Sequence, residues 1–178
     1  MPPASLVVGV DESEQMLASF ARAATEHAVD HRAVHGRWPD VADQAGEADV
    51  VVCHHVLYNV AELAPFVHAL GAAARRRVVV ELTATHPMTT SAPLWRHFHD
   101  LERPTGPSAE LALEVIRDAG IDARMQRWSR PPRDVSREVY VRMNRQRLCL
   151  PVDAEPEVDR VMGPTEVPRD VVTIWWDR

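Results

Sequence analysis

The sequence predicts an α/β fold, doubly wound around a parallel sheet. Three observations carry that expectation. Short apolar runs at 6–11, 49–53 and 77–82 lack the alternation of a half-exposed strand, so they read as strands buried on both faces. Segments with helical apolar spacing lie between them, so strand and helix alternate along the chain. The chain has 178 residues, the size of one domain of about 100–200 residues, here 1–178.

The elements follow in order. Leu6-Val7-Val8-Gly9-Val10-Asp11 is a strand closing on a carboxylate. A helix over 13–29 places Met16, Leu17, Phe20, Ala24 and Ala28 at helical spacing, with Ser13 as its N-cap. A weaker strand at 31–35 runs into Gly36-Arg37-Trp38-Pro39, where glycine and proline mark a turn. Asp49-Val50-Val51-Val52-Cys53 is the clearest strand and continues into His54-His55-Val56-Leu57-Tyr58-Asn59. A helix over 62–74 carries Leu63, Phe66, Val67 and Leu70 on one stripe and delivers the chain to the strand at 77–82. Residues 83–107 hold four prolines and Leu94-Trp95-Arg96-His97-Phe98-His99, a long connection with a short helix inside, of the kind that forms lids and binding loops. Ser108 caps a helix to Ala119, and Gly120 stops it. A strand at 123–128, a helix over 136–148, a proline-interrupted acidic stretch and a strand at 171–176 complete the chain.

Composition removes several function classes. All 20 basic residues are arginine, so Schiff-base chemistry and a P-loop lysine are excluded. The net charge of -6 speaks against a nucleic-acid partner, because phosphate binding needs a segregated basic face. Arg75-Arg76-Arg77 reads instead as a solvated cap at a helix C-terminus. No apolar run approaches the roughly 18 residues that span a bilayer, and Met1-Pro2-Pro3-Ala4-Ser5 carries no signal-type segment, so no membrane partner and a cytoplasmic location are expected. Cys53 and Cys149 are too few for a disulfide framework. Cys53, His54, His55, His97 and His99 show no recognised zinc spacing, so no metal site is expected.

The order of strands, with Val8-Gly9-Val10-Asp11-Glu12-Ser13-Glu14-Gln15-Met16-Leu17 and the run from Asp49 to Val60, resembles the class I S-adenosylmethionine-dependent methyltransferases of the type 11/12 kind. The strand at 77–82 and the Gly120-Ile121 step also fit, and the resemblance covers roughly residues 6 to 130. It implies a Rossmann-like sheet, mostly parallel with a C-terminal antiparallel strand, and S-adenosylmethionine as cofactor. Asp11 would accept hydrogen bonds from both ribose hydroxyls; its other reading is an acid complementing a helix N-terminus. By position in the family, Glu12 and Met16 follow the ribose acid, and Gly36, Arg37 and Trp38 lie against the adenine, where Trp38 either stacks or belongs to the core. Cys53 and His54 would lie near the methionine part of the cofactor. His54 and His55 are candidate general bases, of which only one can face the cleft; each is otherwise a hydrogen-bonded structural residue. Trp95, His97 and His99 in the 83–107 connection either contact a small-molecule substrate or belong to an amphipathic lid helix. The Asn/Asp-Pro-Pro-Tyr/Phe signature of enzymes that methylate the amino groups of adenine or glutamine is absent.

The family's first strand and glycine-rich loop precede the acidic strand, whereas Asp11 has only ten residues before it and the seven glycines are scattered singly. The expectation is an N-terminally truncated methyltransferase that acts on a small molecule, with Met1-Pro2-Pro3-Ala4-Ser5 as the loop entering the family's second strand. Such a chain would bind the cofactor weakly or not at all. Two apolar strands would also lose a shared neighbour. The alternative is a non-catalytic remnant serving as an interaction or dimerisation module, with a homodimer formed through the exposed strand edges.

Overall fold

The computed structural model describes residues 4–132, 134–164 and 168–178; Met1, Pro2 and Pro3 of the expected entry loop lie outside them. The elements in order are β1 (Leu6–Asp11), α1 (Glu14–Glu26), β2 (Asp30–His35), α2 (Ala42–Ala45), β3 (Ala48–His54), α3 (Leu63–Ala73), β4 (Ala74–Thr83), α4 (Ala92–His99), α5 (Ala109–Asp118), β5 (Arg124–Arg130), α6 (Arg137–Arg147), α7 (Glu155–Val161) and β6 (Arg169–Asp177). The strands form two sheets, one of β1 and β2 and one in the order β3-β4-β6-β5. The chain divides into two compact units.

The first unit comprises Met1–Val52, Val60–Val79 and Trp176–Arg178. Within it β1 and β2 pair in parallel, from Leu6↔Asp30 to Asp11↔His35. Ser13 caps α1 as expected, its Oγ accepting the Met16 N–H at 3.3 Å. The Phe20 ring lies so close to Gly9 that an added Cβ would stand 2.8 Å from it, so glycine lets α1 approach β1. Gly36, at φ +151, ends β2 in a conformation that L side chains rarely adopt, with Val41 where a Cβ would go. Both β1 and β3 pair along one edge only among the described strands.

Burial on both faces is met by β4, where the successive residues Val80, Glu81 and Leu82 are all buried, and not by β3. Val50 and Val52, which alternate onto one face of β3, are 39% and 62% exposed. The arginine triplet also differs from expectation. Helix α3 ends at Ala73, so Arg75, Arg76 and Arg77 lie in the first half of β4 rather than at a helix cap. Arg75 Nε pairs with Glu47 at 3.1 Å and Arg77 Nε with Asp177 at 2.6 Å, while the Arg178 N–H donates to the Arg76 carbonyl. Charged side chains at a strand end find partners on neighbouring segments, which periodicity does not anticipate.

The second unit comprises Cys53–Asn59 and Val80–Trp175. Here β5 and β6 run antiparallel, from Arg124↔Trp175 to Arg130↔Arg169. Leu82, Ile116, Val171, Val172 and Ile174 are its buried core. Ser108 and Ser136 cap α5 and α6 through the N–H groups of Leu111 and Val139. A separate cluster of Leu94, Val141, Leu148, Val158 and Met162 joins α4, α6 and α7, with Trp95, Phe98 and Tyr140 packed against it. Helix α7 occupies the proline-interrupted acidic stretch; Pro156 sits in its first turn, where the missing N–H has no intrahelical partner to lose.

A Gly36→Ala substitution forces a methyl group into Val41 at an unfavourable φ. We expect it to cost about 1–3 kcal/mol and to lower Tm by roughly 2–12 °C. An unchanged thermal transition would refute this account of the β2 turn.

Candidate functional site

In the first unit, parallel pairing brings the carboxyl ends of β1 and β2 side by side. The Asp11 carbonyl accepts the Gly36 N–H at 3.0 Å, and His35 Nε2 lies 3.0 Å from the Glu12 carbonyl. Asp11, Glu12, Gly36, Arg37 and Trp38, widely separated in sequence, are therefore joined at one sheet end. The Asp11 Oδ1 accepts the Ser13 N–H at 2.8 Å, so the reading as a helix-terminus acid is realised by one oxygen. The other carboxylate oxygen accepts no hydrogen bond from the described residues. Trp38 is half-buried, and its indole N–H is buried without a partner, a state that buried donors rarely keep. Arg37 and Glu12 are exposed, and Met16, in the first turn of α1, is 58% exposed.

The second unit carries a polar cluster at the ends of β3 and β4. Cys53 is buried, and burial pushes its thiol up to about 12, which removes it as a nucleophile at neutral pH. His54 is exposed. His55 adopts φ 57, outside the range usual for a residue with a Cβ, so its backbone is strained. That conformation is held at both ends of the residue: the His55 N–H donates to the Glu81 carbonyl at 2.8 Å, and Nε2 lies 3.3 Å from Glu81 Oε1.

Glu81 is a buried carboxylate in β4, and its second oxygen accepts Arg130 Nη2 at 2.8 Å. Arg130 in turn lies over the Trp128 ring, 4.9 Å from its centroid, and Trp128 Nε1 donates to Thr173 Oγ1. The Tyr58 hydroxyl accepts the Thr83 N–H and lies 2.7 Å from Thr83 Oγ1, which fixes the turn after β3 to the end of β4. Burial lowers the His55 pKa from its ordinary value; Glu81 opposes that, while His54, Arg130 and Arg169 add to it. Burial likewise raises the Tyr58 hydroxyl, so it acts here as a neutral hydrogen-bonding group.

The three residues expected on the substrate side sit on α4, where the two histidines bond to protein groups. His97 Nε2 lies 2.9 Å from Glu157 Oε1, and His99 Nε2 lies 2.8 Å from the Leu148 carbonyl. Arg160, and secondarily His97, holds the Glu157 carboxyl down at about 2. Trp95 packs beside His99 and beneath Arg103, with its indole N–H buried and unpartnered. These contacts secure α4 to α6 and α7. Periodicity did not single out Glu81, Arg130 or Tyr58. The available signal was one carboxylate inside Val78-Val79-Val80-Glu81-Leu82, a residue type that is almost never buried unless paired.

Residues 2–77 match a family model described as a methyltransferase domain. No curated protein matches the chain in sequence. Several solved structures share its fold. A precorrin 8w decarboxylase from Methanobacterium thermoautotrophicum is 13% identical, with a TM-score of 0.53 over 97% of this chain and 69% of its own. Magnesium protoporphyrin IX methyltransferase from Synechocystis PCC 6803, solved with bound SAH, is 16% identical, with a TM-score of 0.53 over 95% of this chain and 63% of its own. A SAM-dependent methyltransferase from Archaeoglobus fulgidus is 14% identical, with a TM-score of 0.50 over 96% of this chain and 75% of its own. No helix among the described residues is long and apolar enough to cross a membrane.

The lowered His55 pKa fixes a pH dependence. Between the unfolded value, near 6.5, and the lower folded one, the unfolded chain binds a proton that folded His55 resists, so stability present above pH 6.5 is lost as pH falls. Thermal melts from pH 7.5 to 5 should show the stability of wild type relative to His55→Gln decreasing toward acid. A relative stability that rises toward acid would reverse the assignment.

Proposed function

Starting from the class I methyltransferase fold and the match of residues 2–77 to the methyltransferase domain family, we propose that this chain is an S-adenosylmethionine-dependent methyltransferase acting on a small molecule. The observation that carries the reading is the end of the β1–β2 pair. There Asp11 keeps one carboxylate oxygen that accepts no hydrogen bond from the described residues, its carbonyl holds the Gly36 N–H, and the half-buried Trp38 two residues on has a buried, unpartnered indole N–H.

Those residues fit the nucleoside half of the cofactor. The open oxygen of Asp11 would accept the ribose hydroxyls, Glu12 and Met16 would border the ribose, and Gly36, Arg37 and Trp38 would meet the adenine, with an acceptor available there for the Trp38 indole N–H. The resemblance alone assigns Cys53 and His54 to the methionine part, and the Cys53 thiol stays protonated. The bound cofactor supplies a methyl group on a sulfonium, whose carbon–sulfur bond breaks as the acceptor takes the methyl, leaving a neutral thioether. The protein's part is to bind, to orient and to exclude water.

The chain forms one methyltransferase domain in this reading, and the connection 83–107 is its substrate-side element. Trp95, His97 and His99 serve that element by holding α4 in position, and direct contact of these residues with substrate is the weaker of their two roles.

The second reading, an interaction module that forms a homodimer, is favoured by the open edges of β1 and β3 and by the exposure of Leu6, Val50 and Val52. Calorimetric titration with S-adenosylhomocysteine separates the two. We expect binding, and a loss of about tenfold or more in Asp11→Ala, corresponding to about 1.4 kcal/mol or more. Equal binding by wild type and variant would remove Asp11 from the site. No binding, together with a dimer in light scattering, would favour the interaction module.

A further inference from the structure

We propose that His86, in the connection after β4, is a substrate-binding residue: a fixed, neutral hydrogen-bond donor that takes a carbonyl oxygen of the small molecule. The proposal rests on the methyltransferase reading above and names a functional group that the substrate carries.

The backbone places the proton on the His86 ring. The Met88 N–H donates to His86 Nδ1 at 3.1 Å. An N–H donates only to a ring nitrogen without a proton, so the ring is neutral in this arrangement and its own proton lies on Nε2. The ring is also held in orientation. It meets the Tyr58 ring edge to face, with centroids 5.4 Å apart and planes at 73°. Tyr58 is fixed in turn at its hydroxyl. Thr83 Oγ1 donates to the Thr85 carbonyl at 2.6 Å, so across the 2.7 Å contact between the two hydroxyls Tyr58 is the donor, and its oxygen accepts the Thr83 N–H as well.

Most polar side chains around this ring are already in use. Thr89, Thr90 and Ser91 donate their hydroxyls to the carbonyls of Thr105, Pro87 and Met88. Tyr58 and Thr83 are joined in the chain just described. Between positions 83 and 91 this leaves the Thr85 hydroxyl, on an exposed residue, and the His86 Nε2–H, on a half-buried ring. Nε2 has no hydrogen-bond partner among the described residues and is not buried, so a ligand can reach it. His97 and His99 differ in this respect, because each engages Nε2 with a protein group. A donor that is already oriented and unused loses little freedom when a ligand arrives.

The same geometry selects the group it takes. An ammonium group has no lone pair to offer. An anion beside the ring would favour the imidazolium, which carries a proton on both nitrogens and cannot accept the Met88 N–H. A neutral carbonyl oxygen accepts from Nε2 and leaves the Met88 bond in place. A ketone, ester or amide carbonyl is therefore matched to His86, and a carboxylate is not.

The test uses the full chain and does not depend on turnover. Long-range nitrogen–proton NMR of the histidine rings should show His86 as the Nε2–H tautomer, and an Nδ1–H tautomer or an imidazolium at pH 7.5 would overturn the proposal. The probes are acetophenone and benzoate, a phenyl ring bearing a neutral carbonyl in one and a carboxylate in the other. Titration with acetophenone should move the His86 Nε2 resonance to saturation, while benzoate should act about tenfold more weakly or not at all. His86→Phe keeps an aromatic edge for Tyr58 and removes the N–H; it should weaken acetophenone binding by about two- to tenfold, the worth of one hydrogen bond. No response to acetophenone, or undiminished binding by folded His86→Phe, would overturn His86 as the donor. An equal or stronger response to benzoate would overturn the carbonyl assignment. Failure of S-adenosylhomocysteine to bind would instead overturn the transferase reading and leave the tautomer and probe results standing, so the two failures are distinguishable.

Discussion

A carboxylate inside a sheet is the constraint around which the second unit is arranged. An ion removed from water costs several kcal/mol unless its lone pairs are met, and Glu81 is 7% exposed, set between Val78-Val79-Val80 and Leu82 in β4. Two groups meet it. Arg130 reaches one oxygen from β5, and His55 stands at the other, directly after β3. Each has a recognisable cost. His55 takes a positive φ to reach its position, and Arg130 stands opposite Arg169 in the β5–β6 ladder, where like charges repel. Glu81 is thus both the reason for these unfavourable local choices and the group that compensates them.

The first unit follows a different logic, set by backbone pairing rather than by charge. Once β1 and β2 run parallel in the register Asp11↔His35, the acid at the end of one strand and the turn after the other must lie together. Gly36 closes that turn because its φ and the position of Val41 leave no room for a Cβ. Asp11 divides its carboxylate between two tasks, one oxygen holding the N–H of Ser13, the cap of α1, and one accepting no hydrogen bond from the described residues. A side chain that is structural at one atom and available at the other needs no rearrangement to accept a ligand, which lowers the ordering cost of binding.

Legibility in the sequence followed the range of the interactions. Ser13, Ser108 and Ser136 were recognisable as caps because a cap acts within three residues, and each accepts the expected backbone N–H. Strands β1, β2 and β6 were found within two residues of their ends because apolar, β-branched runs are local. Helix α2, four residues long, and helix α7, with proline in its first turn, carry too little periodic signal to be recognised. The early start of β4 was hidden because Arg75, Arg76 and Arg77 gain their partners from Glu47, Asp177 and Arg178, distant in sequence. The candidate site divides in the same way. Asp11 and His55 were visible as chemistry at strand ends, whereas Glu81 and Arg130 acquire meaning only when positions 49 apart in the chain are brought together.

The exposed valines of β3 have a consequence for handling the protein. A β-branched run with an open edge and one uncovered face is a template for intermolecular pairing, and such segments remain dispersed when charges flank them. Here the flanking charge is Asp49 before the run, within a chain of net charge -6 and pI near 5.8. That protection is electrostatic repulsion between molecules, so it fades as pH approaches the pI and as salt screens it. Colloidal stability is therefore greatest in mildly alkaline, low-salt solution, and acidification toward the pI brings the Val50–Val52 surfaces of separate molecules within reach of one another.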